Sequence, residues 1–137
     1  MKKIITVKEA LKDCIISDVP IFNDRYAKLW DKIKIGGNAS DLINKGQNNC
    51  VKINPYKPSC TLPKTQTGRG FATIAHWQEK RALSINEAKR LSSFPDDFKF
   101  VGKYSEQWAR IGNAVMPKFM YHIAKHIKEN ILGLVNA

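Results

Sequence analysis

Three cysteines, three histidines and one paired carboxylate are the groups in this chain best suited to chemistry. Cys14, Cys50 and Cys60 are odd in number and spaced for neither a redox Cys-x-x-Cys nor a zinc ribbon, so they read as free thiols of a reducing compartment. His122 and His126 stand four apart, as two zinc-binding imidazoles on a helix would, but Ile123 occupies the position where a zincin carries its glutamate. They read as part of a solvated helix face, and no metal is expected. His76 stands alone in a predicted loop. Asp96 and Asp97 follow Phe94-Pro95 directly, which favours a turn or a cap over general acid–base work. The chain has no P-loop, no nucleophile elbow and no dinucleotide fingerprint. By residue type alone it is not a self-contained enzyme.

The charge points to a polyanionic partner. Twenty-three Lys and Arg oppose 12 Asp and Glu, a formal net charge of +11 over 137 residues with pI near 9.7. Lys and Arg clusters bind phosphates and release condensed counterions. No acidic residue falls between Asp41 and Glu79, whereas Lys45, Lys52, Lys57, Lys64 and Arg69 do. Gly, Asn, Gln and Thr fill much of the rest of that stretch and give adaptable loops whose backbone and amide groups can approach a nucleic acid closely. With 43% apolar and 26% charged residues the composition is that of a single globular domain. No apolar run approaches the ~20 residues of a membrane span. Lys8 and Glu9 follow Met1–Ile5 too soon for a secretory h-region, so a cytoplasmic location is expected.

The elements that must position these groups can be read from periodicity and punctuation. Thr6-Val7-Lys8-Glu9 is a capping box and predicts a short helix over residues 7–13. Tyr26, Leu29, Trp30 and Ile33 recur at helical spacing after Asn23 or Asp24, with Gly36-Gly37 as a stop. Between residues 38 and 76 the helical period disappears. Short β-forming segments, 50–54, 60–62 and 71–75, alternate there with Pro, Gly and Asn. Ser84-Ile85-Asn86-Glu87 is a second capping box. A helix around residues 105–111, ended by Gly112, should follow. A last helix should start with Pro117 and carry Phe119, Met120, Ile123, Ala124, Ile127, Ile131 and Leu134 on one stripe. The organisation expected is a helical lead-in over residues 1–37, a small irregular β-lobe over 38–80 and a helical segment over 81–137, an α+β arrangement.

Three blocks in fixed order add a family resemblance. Arg81-Ala82-Leu83-Ser84-Ile85-Asn86-Glu87-Ala88-Lys89-Arg90-Leu91, running on to Phe94-Pro95-Asp96-Asp97-Phe98, resembles the ninth motif of DNA cytosine-5 methyltransferases. Ile111-Gly112-Asn113-Ala114-Val115-Met116-Pro117 resembles their tenth. Upstream, Pro58-Ser59-Cys60-Thr61-Leu62 resembles the Thr-Leu element of their target-recognition domain. The chain departs from the family pattern at Ser92-Ser93, where Gln-Gly is usual, and at Met116, where proline is usual. The family's Pro-Cys nucleophile, Glu-Asn-Val site, Gln-Arg-Arg element and Gly-rich S-adenosylmethionine loop have no counterpart.

The resemblance implies that this is the C-terminal part of such an enzyme: a target-recognition lobe flanked by helices, with the last helix completing a Rossmann-like α/β catalytic domain. In the family a thiolate adds to C6 of a flipped cytosine and C5 takes the methyl group. None of the three cysteines here has the nucleophile's Pro-Cys context. The missing motifs must then come from a separate N-terminal catalytic chain or from the rest of the protein, and no catalytic residue is assigned. Asn113 and Ala114 match positions lining the S-adenosylmethionine pocket, and Thr61 matches a recognition-domain Thr that contacts the DNA backbone, with Leu62 beside it. Arg81, Glu87 and Arg90 match structural positions of the ninth motif. From chemistry alone, Arg69 between two glycines is the candidate reader of a guanine edge, and Lys57 and Lys64 are candidate phosphate contacts. Double-stranded DNA is the expected partner, and self-association through the C-terminal helix is expected of the isolated chain. The alternative is a non-catalytic DNA-binding specificity module or a truncated relic.

Overall fold

The computed structural model describes residues 3–17, 19–42, 50–66 and 72–133. Arg69, Lys45 and Leu134 lie outside these described residues. The elements run α1 (Val7–Ala10), α2 (Asp24–Lys32), a 3-10 turn (Ala39–Asp41), β1 (Val51–Lys52), β2 (Ile74–Ala75), α3 (Ile85–Leu91), α4 (Tyr104–Asn113) and α5 (Pro117–Ile127), which continues into a π-turn, Lys128–Leu132.

Both predicted capping boxes form. Thr6 and Glu9 cap α1 reciprocally, and Ser84 and Glu87 do the same for α3. The α1 helix stops three residues earlier than its spacing predicts. Lys12 and Asp13 are exposed, and Asp13 turns into the left-handed region with φ 57°, which Asp tolerates better than most residues. In α2 the Asn23 side chain accepts the Tyr26 amide at 3.1 Å, and Trp30 and Ile33 face inward. Gly36 sits at φ +80° beyond that helix and donates its amide to Lys52 O at 2.7 Å, a conformation that favours glycine. Gly112 does not end α4, as its type predicts, but lies inside it.

The β content is small and parallel. Val51 pairs with Ile74 and Lys52 with Ala75, and single antiparallel bridges join Ile21 to Arg81, Asn38 to Val51 and Ala75 to Ala82. Residues 60–62, predicted as a strand, are not one. Strand alternation sends neighbouring residues to opposite sides. Thus Ile53, Ile74 and Leu83 enter one apolar cluster with Val7, Trp108 and Ile111, while Cys50, Ala75 and Ala82 enter a second with Phe22, Trp30 and Ile33. The clusters draw on all three expected segments. Val7 and Lys8 donate to Lys57 O and Pro55 O, both at 2.9 Å, and Trp108 Nε1 donates to Pro63 O at 2.8 Å, so contacts cross both expected boundaries. By contrast, no residue of α5 is buried.

Candidate nucleic-acid interface

The α3 N-terminus is fixed by a buried ion pair. Glu87, at the third helical position, receives Arg81 through two bonds, Nη1 to Oε2 at 2.7 Å and Nη2 to Oε1 at 3.0 Å, and takes the Ser84 amide at 2.6 Å. Arg81 also holds Glu79 through Nε at 2.9 Å and donates to Ala82 O. Burial pushes the Glu87 carboxyl up, but the Arg81 bonds and the Ser84 amide outweigh it and keep the group below its ordinary range. A carboxylate held ionised and saturated with donors is poorly placed to accept a proton from substrate, so this node works as a clamp.

His76, isolated in sequence, closes the same node. Its Nδ1 accepts the amides of Gln78 at 3.2 Å and Glu79 at 3.1 Å, which leaves the proton on Nε2, 3.8 Å from Glu87 Oε1. Burial, aided by Arg81, lowers the histidine's pKa. Only its adjacency to Trp77, on which it stacks at 3.9 Å, hinted at an ordered ring. Arg90 grips Asp96 through two bonds, 2.8 and 2.7 Å, and reaches Lys12 O, tying α3 to the turn after α1. Asp96 is therefore a structural acceptor, as its place after Pro95 predicted.

The Thr-Leu segment divides by side chain. Thr61 is exposed, as are Lys57 and Lys64, whereas Leu62 is only 6% accessible and belongs to the main core. Leu62 thus anchors the segment. Trp108 Nε1 donates to Pro63 O at 2.8 Å, and Gly112, one turn later on α4, meets the same segment: a Cβ there would lie 2.7 Å from Lys64 Cα and from Pro63 O. The Thr-Leu segment is thereby held against the helix end that bears Asn113 and Ala114, both exposed.

Two further residues escaped the sequence reading. Gln66, 5% accessible, accepts the Thr73 amide at 2.6 Å and the Ile74 amide at 3.2 Å and donates to Ile74 O. With Thr73 Oγ1 bonded to Thr65 O at 2.9 Å, it ties together the residues on either side of 67–71, the stretch containing Arg69. Lys52, counted above among the phosphate-seeking cations, is buried instead. Its Nζ lies 3.4 Å from the centroid of the Trp30 ring and donates to Trp30 O. Burial raises all three thiols, Cys50 to about 12, so none is primed as a thiolate. Among the described residues no cluster of His, Cys, Asp and Glu could hold a metal, and no helix is long and apolar enough to cross a membrane.

A cleft of about 880 Å³ opens between α1, the end of α3 and the start of α5, with Ala10, Leu91, Phe94, Met116 and Tyr121 on its walls. Beyond it α5 exposes Phe119, Met120, Tyr121, Ile123 and Ile127.

The small α+β unit thus combines an exposed cationic segment, a clamped α3 and an uncovered apolar α5, and its sequence places it in a known family. The family profile for C-5 cytosine-specific DNA methylases covers residues 2–129, and the chain belongs to that family. It is 36% identical over 113 residues to the type II methyltransferase M.NgoFVII of Neisseria gonorrhoeae, covering 77% of this chain and 30% of that protein. It is 33% identical over 131 residues to M.BbvI of Brevibacillus brevis, covering 85% of this chain and 34% of that protein. M.AquIB of Picosynechococcus is 28% identical over 116 residues, and there the match takes in 77% of this chain and 81% of the relative. The chain thus spans about a third of the first two proteins but most of the third.

Proposed function

We propose that this chain is the DNA-recognition and C-terminal portion of a DNA cytosine-5 methyltransferase, inactive alone and completed by the motifs it lacks. The carrying observation is α5, which follows the Asn113–Ala114 turn closely and exposes its apolar side chains, Phe119 61% and Ile127 40%. A helix of that pattern needs a surface to cover it. The donor sheet of a Rossmann-like catalytic domain is the proposed cover. M.AquIB supports the reading, since a protein matched over 81% of its length bears the type II methyltransferase name.

S-adenosylmethionine, when bound to the completed enzyme, supplies the methyl group. The turn fits as one wall of its pocket: Asn113 and Ala114 are exposed, and Ala114 N is already spent on Ile111 O at 3.1 Å, which leaves the Asn113 side chain as the available polar group. Thr61, Lys57, Lys64 and Arg69 would contact the duplex, and Arg81, Glu87 and Arg90 would hold their scaffold. The test is methyl transfer to a DNA duplex. None is expected from this chain alone, and transfer should appear on adding a chain that carries the missing motifs. Full activity from the isolated chain would overturn the split assignment.

A further inference from the structure

We propose that the outer face of α2, bearing Arg25, Lys28 and Lys32, is a second phosphate-binding surface that grips the duplex backbone away from the bases being read. The inference rests on the reading of the chain as a DNA-recognition unit and extends it to a helix to which no role has been given.

At 100° per residue, positions 25, 28 and 32 fall within an arc of roughly 60°, away from the side that carries Tyr26, Trp30 and Ile33. All three cations are exposed. Among the described residues none of them is in an ion pair, although other cations of the chain are engaged, Lys3 with Glu9, Lys80 with Asp31 and Arg90 with Asp96. Two carboxylates flank the stripe. Asp31 is held by Lys80 at 2.7 Å, and Asp24 lies at the first helical position, where a negative charge complements the helix dipole.

The helix is also rigidly mounted. Trp30 and Ile33 are 8% and 3% accessible, Trp30 Nε1 bonds His76 O, and Lys52 lies on the indole face. The three cations therefore move with the lobe that carries Thr61 and Lys64, and ordering them on a partner costs little beyond side-chain entropy. A helix rise of 1.5 Å places positions 25 and 32 about 10.5 Å apart along the axis. One DNA strand presents a phosphate every ~3.4 Å of axis, so the stripe spans about three of them. An acidic protein surface has no such regular spacing, and the family acts on DNA.

The experiment is a salt titration of the full chain binding a short labelled duplex, comparing wild type with the R25Q/K28Q/K32Q triple variant and, separately, with K57Q/K64Q. The triple variant should make the slope of log K against log salt shallower by about 2 to 3, at about 0.9 per lost phosphate contact, and leave preference between duplex sequences unchanged. The charge-preserving R25K/K28R/K32R variant should restore the slope and guards against a folding artefact. If the triple variant keeps the wild-type slope while K57Q/K64Q loses it, the α2 surface is excluded and the DNA-recognition reading stands. If wild type shows no salt-dependent duplex binding, both fall together. An equal loss of affinity for poly-glutamate and for duplex would make α2 a general polyanion attractor and overturn the proposal.

Discussion

Gly112 of α4 touches the backbone of Lys64 so closely that a β-carbon would lie 2.7 Å from Lys64 Cα. The contact joins the Thr-Leu segment to the helix that ends in Asn113, with Trp108 bonding Pro63 O from one turn earlier. Glycine is usually a cost inside a helix, about 1 kcal/mol relative to alanine. Here the missing side chain admits the backbone of the Pro63–Lys64 segment.

Gly112→Ala should consequently destabilise the chain although it raises helix propensity. Overpacking against backbone costs typically 1–3 kcal/mol, which exceeds the propensity gain of about 1 kcal/mol over most of that range. Urea unfolding measures the sign. A more stable variant would show that the Pro63–Lys64 segment yields freely.

Removing one partner of the Arg81–Glu87 pair should be severe. Glu87→Ala leaves a buried guanidinium facing a void and the Ser84 amide without its acceptor, so a loss of about 3–5 kcal/mol is expected. Arg81→Lys should recover little of it, because one ammonium cannot reproduce two parallel bonds. Circular dichroism melts of the two variants check both statements.

Stability should fall with acid in two stages. His76 has its folded pKa depressed below the ordinary imidazole value of 6.5, so its contribution is present above about that pH and is lost as the medium acidifies through the lower folded value. Glu87 and Glu79, depressed from 4.5, add a second loss below that pH. His76→Gln should flatten the first stage only. Melting temperature measured against pH would refute the assignment if stability were constant between neutrality and the carboxylate range.

Lys52 and Lys64 should respond oppositely to the same substitution. Lys52→Ala removes a desolvated cation–π contact worth about 2 kcal/mol, alters Trp30 fluorescence and leaves the salt dependence of duplex binding unchanged. Lys64→Ala should leave the melt unchanged and lower the salt slope by about 0.9. Paired melts and binding titrations separate the two.

The uncovered α5 should drive self-association of the isolated chain. Light scattering is expected to show species above the monomer that disappear in the Ile123→Glu, Ile127→Glu double variant. A concentrated wild-type solution that stays monomeric would count against an unsatisfied apolar face.

Local rules made much of the scaffold legible. The two capping boxes, the Asn23 start of α2 and Pro117 at the first position of α5 each involve residues within four of one another, and all form as read. Asp96 likewise became a structural acceptor because its neighbours already placed it in a turn. Residue type misled where a long-range partner decided the outcome. Gly112 looked like a helix stop, Lys52 like a phosphate contact and residues 60–62 like a strand. His76 gave no sign of its buried node.

The sequence alone determined the family, through blocks whose order and residues are specific, together with the charge excess and the helix starts, because these depend on composition and on neighbours along the chain. Only the tertiary structure decided that Lys52 is buried while Lys57 and Lys64 are exposed, that Leu62 is an anchor while Thr61 faces outward, and that the Thr-Leu segment is pinned beside the Asn113 turn. Those outcomes depend on groups such as Trp30 and His76, or Trp108 and Pro63, that lie 46 and 45 residues apart. No periodicity encodes such a separation, since it is set by which surfaces must be buried together.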